Sequence, residues 1–79
     1  MRKSIHSPEQ ERLIGLLRRM RKDAGLRQKD LSARLGRPQS FVSKYETGER
    51  QLDFVEVAYI CHVLGRNLVS FVEEYEAGG

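Results

Sequence analysis

Gln28-Lys29-Asp30-Leu31-Ser32-Ala33-Arg34-Leu35-Gly36-Arg37-Pro38-Gln39-Ser40-Phe41-Val42-Ser43-Lys44-Tyr45 is the stretch that decides how this chain folds. Leu31 and Leu35 fall one helical turn apart, and so do Val42 and Tyr45, so each half presents one apolar helical face. Gly36 stops the first half and Pro38 opens the second. Two short helices joined by so tight a turn must cross steeply. The crossing needs a small residue where the helices approach, and Ser32 supplies it. The turn needs a residue that tolerates positive φ, and Gly36 supplies that.

The flanks carry the same kind of punctuation. Upstream, Ser7-Pro8-Glu9-Gln10 reads as a helix start, with Ser7 as N-cap, Pro8 in the first helical position and Gln10 reaching back. Leu13, Leu16, Leu17 and Met20 follow at helical spacing, and Gly25 ends that helix. Downstream, Thr47-Gly48 closes the helix begun at Pro38. Asp53-x-x-Glu56 is a capping box for a fourth helix, which runs through Phe54, Val57, Ile60, Cys61 and Leu64 to Gly65. Asn67 caps a fifth, with Leu68, Phe71 and Val72 apolar. Nowhere does a period of two persist. The expectation is an all-α chain, a compact five-helix bundle with short connections. One domain covers residues 7–76, after a flexible basic arm at 1–6 and before a flexible tail at 77–79.

With 79 residues the core is modest, and a single cysteine excludes an intramolecular disulfide. No apolar run approaches the length of a membrane span, and the basic start leads directly into polar residues, so neither signal peptide nor membrane partner is expected and the cytoplasm is the default location. The net charge of +3 hides an asymmetry. Residues 1–50 hold thirteen of the fourteen lysines and arginines against six acids, a net +7, whereas residues 51–79 hold one arginine against five acids, a net −4. Such polarity suits a chain that turns one face toward a polyanion and keeps the other away.

The chain resembles the lambda-repressor and Cro-like, or XRE-type, helix-turn-helix regulators. The resemblance runs from about Leu13 to Phe71 and rests on several blocks in order: Leu17-x-x-Met20-Arg21, Gly25-Leu26-x-Gln28-x-x-Leu31, Val42-Ser43-x-Tyr45-Glu46-x-Gly48 and Leu64-Gly65. Two positions depart from the family pattern. Arg27 stands where Ser or Thr usually caps the second helix. Arg37 stands where the turn is usually aliphatic, followed by Pro38 in place of a capping residue. Both leave the local capping open and add cations near the motif, and the Arg37 stem can pack while its head extends.

The resemblance implies roles. The third helix, beginning near Gln39, would lie in the major groove of double-stranded DNA, with Gln39, Ser40, Ser43 and Lys44 meeting base edges. Arg27, Gln28, Arg37, Arg50 and the backbone around Gly48 would grip phosphates, which position without reading sequence. Gln28 would also brace the first side chain of the recognition helix. Arg21 and Glu46 would form a buried ion pair tying the first helix to the end of the third. Phe41 is open between a thymine or sugar contact and a packing role.

Other residues point to nothing catalytic. Cys61 occupies a core slot, and neither it nor His6 and His62 share metal-ligand spacing. No nucleophile elbow, phosphate loop or paired carboxylate occurs, so no enzyme, cofactor or small-molecule ligand is expected. The stripe Val55, Tyr59 and Val63, with Val69 and Val72 beyond, lies in the acidic third. It is read as a homodimer surface centred on Val63, Val69 and Val72. The function expected is a sequence-specific transcriptional regulator on a palindromic operator. The alternative is an antitoxin-like or adaptor module that binds another protein, with DNA contact secondary.

Overall fold

The computed structural model describes residues 7–78, so the expected arm at 1–6 lies outside the described residues. Five helices follow in order: α1 (Pro8–Asp23), α2 (Gln28–Arg34), α3 (Phe41–Glu46), α4 (Phe54–Val63) and α5 (Leu68–Glu76). There is no strand among the described residues.

Local chemistry accounts for most of the boundaries. Ser7 Oγ accepts from the Gln10 N–H (3.0 Å) at the start of α1. At α4, Asp53 and Glu56 exchange both bonds of a capping box, at 2.7 and 3.0 Å. Asn67 Oδ1 accepts from the Ser70 N–H (3.2 Å) at α5. At α2 the departure from the family pattern is compensated. Arg27 has no acceptor to offer, but the Asp30 carboxylate takes its backbone N–H (2.9 Å) and also its guanidinium Nε (3.0 Å). One half of a capping box survives, built from the N3 side. Gly36 ends α2 with φ +69°, and Arg37 N–H closes on Ser32 O (3.0 Å). A side chain at Gly36 would meet nothing within 4 Å, so the backbone angle, not space, demands glycine.

The third helix starts later than the proline suggested. Phe41 N–H closes on Pro38 O (2.9 Å) in a single tight turn, and regular α3 begins only at Phe41. Gln39 and Ser40 therefore sit in the turn ahead of the helix. The cause lies ten residues upstream: buried Ser32 Oγ accepts from the Val42 N–H (3.1 Å) and acts as the cap that Ser40 does not.

The core is one cluster. Leu16, Leu17 and Met20 from α1 meet Leu31 and Leu35, then Phe41, Val42 and Tyr45 from α3, with Val57, Ile60, Cys61 and Phe71 closing the far side. Burial of this kind is worth roughly 1.5–3 kcal/mol per large side chain. Phe54 is a correction. It belongs to the apolar face of α4 by spacing, yet it is 68 % exposed. It opens the helix at N1, where it faces an open groove instead of a neighbouring element. That groove, about 310 Å³, is walled by residues that include Leu13, Phe54, Val57, Phe71, Val72 and Tyr75. Tyr75 Oη donates to Glu9 O (3.0 Å) and fastens the end of α5 to the start of α1.

Candidate nucleic-acid interface

The residues read as base-contacting fall close together in the chain, in the turn before α3 and in α3 itself. Gln39, Ser40 and Lys44 are exposed, and Ser43 is half-buried with its Oγ donating to Ser40 O (3.3 Å). Gln39 borders a shallow depression with Lys29, Asp30, Ala33 and Arg37, between α2 and the turn that leads into α3. Two of the four come from the turn and two from α3, so the candidate reading surface is the start of the helix together with the loop that leads into it.

The far end of α3 is tied to the other helices through Glu46. Arg21 Nε donates to Glu46 Oε2 (2.7 Å) and an Arg21 terminal nitrogen to Glu46 Oε1 (3.1 Å), while the other reaches Leu26 O (2.7 Å). Their side chains are 8 % and 2 % exposed. Gln28 Nε2 donates to Glu46 Oε1 as well (2.9 Å). One carboxylate thus joins α1, the start of α2 and the end of α3. Gln28 is bound to the end of α3, not to Gln39 as the bracing role required.

The cations differ in freedom. Arg27 is largely exposed and pairs with Asp30. The guanidinium holds the Asp30 carboxyl below the ordinary range, and Asp30 in turn raises Arg27. Arg37 and Arg50 both reach Glu56, at 3.1 and 2.9 Å. Their guanidinium carbons lie 4.6 and 5.0 Å from the centre of the Phe41 ring. Phe41 itself is 6 % exposed and meets Tyr45 edge-on, with ring centres 5.5 Å apart. This resolves its open role toward packing. Gly48 is buried with φ +83°, and its N–H is committed to Tyr45 O (3.1 Å). Glu49 and Arg50 N–H groups both close on Lys44 O. The turn at Gly48 therefore carries Arg50 to the surface, while its own amides are already occupied.

Two short helices crossing under an exposed polar end, on the basic half of the chain, are the hallmark geometry of one motif. A family model described as a helix-turn-helix domain matches residues 12–69. Among solved structures, an XRE-family like protein from Pseudomonas syringae pv. tomato str. DC3000 is similar at 44 % identity and a TM-score of 0.84, over 94 % of this chain and 90 % of that one. The chain belongs to the XRE-type helix-turn-helix family. No curated protein matches it.

XRE-type proteins are DNA-binding regulators, and the all-helical architecture here is theirs. The family model runs from within α1 to the start of α5, so the knot at Arg21, Gln28 and Glu46 and the exposed end of the motif both fall within it. No single helix among the described residues is long and apolar enough to cross a membrane. Cys61 is buried, and loss of solvation pushes its thiol up to about 11. Sequence reading missed two features of this XRE-type site: the Ser32 hydroxyl as the cap of α3, and Glu56 as the shared partner of two arginines. The capping box signalled Glu56 as a helix start, but no local spacing links it to residues 37 and 50.

Proposed function

We propose that this chain is a sequence-specific transcriptional regulator that enters the major groove with the start of α3. Gln39, Ser40, Ser43 and Lys44 read base edges, Gln pairing with adenine and Lys with guanine by their donor patterns. Arg27, Gln28, Arg37 and the Arg50 carried on the Gly48 turn hold phosphates. The observation that carries the reading is the Arg21–Glu46–Gln28 knot, which ties the end of α3 to α1 and to the start of α2. Reading bases requires side chains held within a fraction of an ångström of their partners, and a fixed α3 provides that.

The same reading includes a homodimer on a palindromic operator. One copy carries one such reading surface, whereas a palindrome presents two half-sites with centres roughly 34–36 Å apart. A second copy supplies the second half-site. Val69 and Val72, 66 % and 43 % exposed, offer an apolar contact in the acidic third of the chain, and Val63, half-buried, belongs to the same proposed surface. Bound at its operator, the dimer would act by excluding or recruiting polymerase. The cytoplasm is its place of action.

A protein-interaction module of antitoxin-like or adaptor type is favoured by one observation, the open apolar groove beside Phe54. Selection from random duplex DNA followed by alanine variants separates the two. Under the regulator reading, Gln39→Ala and Lys44→Ala each cost roughly 1–3 kcal/mol on the selected site and relax preference at one base position. Arg27→Ala weakens selected and random DNA alike and reduces the salt slope by about one. Failure to enrich any sequence would overturn the reading.

A further inference from the structure

We infer that Glu56 is a positioning residue for DNA specificity: it gathers Arg37 and Arg50 into one restrained pair and keeps them from gripping phosphates indiscriminately. The inference rests on the reading that these two arginines face DNA phosphates. Arg37 enters from the turn before α3 and Arg50 from the loop after it. Both guanidiniums converge on the Phe41 ring and on one carboxylate. Glu56 accepts two bonds from Arg50 (3.0 and 2.9 Å), one from Arg37 (3.1 Å) and the Asp53 N–H (3.0 Å). Four donors on two oxygens leave that carboxylate fully engaged.

The two arginines remain more than a third exposed, whereas the Glu56 side chain is mostly covered. Each therefore keeps part of its guanidinium side chain open to solvent while Glu56, and for Arg50 also the Gln51 carbonyl, sets its orientation. A phosphate in the right place meets two guanidiniums already aimed. A phosphate elsewhere meets a cluster whose net charge is one unit lower than the two arginines alone would give. Non-specific binding is governed by charge and counterion release, so the carboxylate weakens it directly. Binding at the selected site also gains from side chains that need no further ordering, which offsets the lost charge. Glu56 thus widens the gap between specific and random DNA.

The test compares Glu56→Gln, Glu56→Asp and the double variant Arg37→Ala/Arg50→Ala on a selected duplex and on a random-sequence duplex across a salt series. Glutamine keeps the length and a carbonyl acceptor for Asp53 while removing the charge. Glu56→Gln should bind random duplex roughly two- to threefold tighter, the effect of one unit charge about 7 Å from a phosphate, across the intervening guanidinium, in water. Its salt slope should steepen by about one, and its ratio of selected to random affinity should fall. Aspartate retains the charge but withdraws it by one methylene, so Glu56→Asp should lower that ratio too, and it serves as the reporter if the glutamine variant does not fold. If the double variant weakens DNA binding while Glu56→Gln leaves random affinity and slope at wild-type values, the inference fails and the phosphate reading stands. Wild-type behaviour of Glu56→Asp would reduce the effect to net charge and also overturn it. A double variant that binds random duplex as well as wild type would overturn the phosphate reading, and the inference with it.

Discussion

Glu46 and Arg21 meet through two parallel hydrogen bonds, at 2.7 and 3.1 Å, with both side chains withdrawn from solvent. Fork-to-fork geometry of this kind is the strong form of the ion pair. Its worth to the native state is net of a desolvation cost for both ions, but removing one partner strands the other charge inside, typically at about 3–5 kcal/mol. Glu46→Ala strands Arg21 and also releases Gln28. In a domain this small, each 1 kcal/mol moves the midpoint by roughly 4–8 °C. The expected result is a melting temperature at least ten degrees or so below wild type by circular dichroism. A variant melting within a degree or two of wild type would refute the structural weight placed on the pair.

Ser32 and Tyr45 provide a contrast in sign. Ser32 is fully buried and its hydroxyl satisfies the Val42 N–H, so Ser32→Ala leaves a buried amide without a partner. The cost expected is about 1–3 kcal/mol in a denaturant titration. Tyr45 is equally buried, and its hydroxyl has no partner among the described residues. Burial therefore raises its ionisation above the ordinary range. Tyr45→Phe removes a polar atom that gains nothing inside and should leave stability unchanged or raised. A Tyr45→Phe variant destabilised as much as Ser32→Ala would contradict both assignments.

These two residues also show what a sequence makes legible. The helix starts at Ser7, Asp53 and Asn67 are local contacts over three residues, and each is present as a hydrogen bond. The crossing of α2 and α3 was legible because a small residue, a glycine and four apolar anchors fall at fixed offsets. The start of α3 was not, because it is decided by Ser32 ten residues away and not by Pro38 beside it. Phe54 was misplaced for a related reason. Spacing assigns a helix face, but only the arrangement of α1 and α5 determines whether anything covers its first turn. The convergence of Arg37, Arg50 and Glu56 spans three separate segments, and no periodicity reports it.

Acid should act through Glu56. Hydrogen bonds from Arg50, then the Asp53 N–H, with Arg37 contributing less, hold its carboxyl down at about 2, against an ordinary value of 4.5. A depressed native pKa contributes stability that is fully present above the unfolded value and is lost as pH falls toward the native one. The difference in stability between wild type and Glu56→Gln should therefore be constant at neutral pH and shrink as pH falls from about 4.5 toward 2. Thermal melts of the two proteins across that window check it. A gap that stays constant down to the lowest pH would show that the carboxylate charge contributes nothing to the fold.

The dimer can be tested without knowing the operator. Val69 and Val72 are exposed on α5, and neither belongs to the buried cluster. A charge at Val69 should therefore spare the fold, since surface substitutions away from packed features usually stay within about 0.5 kcal/mol. In an apolar interface the same charge would be desolvated without a partner, at a cost of several kcal/mol. Val69→Asp is expected to sediment as a monomer where wild type sediments as a dimer, with helical circular dichroism and melting temperature nearly unchanged. Its affinity for a full palindrome should drop toward that for one half-site, because two reading surfaces would no longer be linked. Wild-type protein that is monomeric at tens of micromolar, and binds one half-site as tightly as the palindrome, would remove the dimer from the mechanism and leave a single copy of α3 to account for all the selectivity.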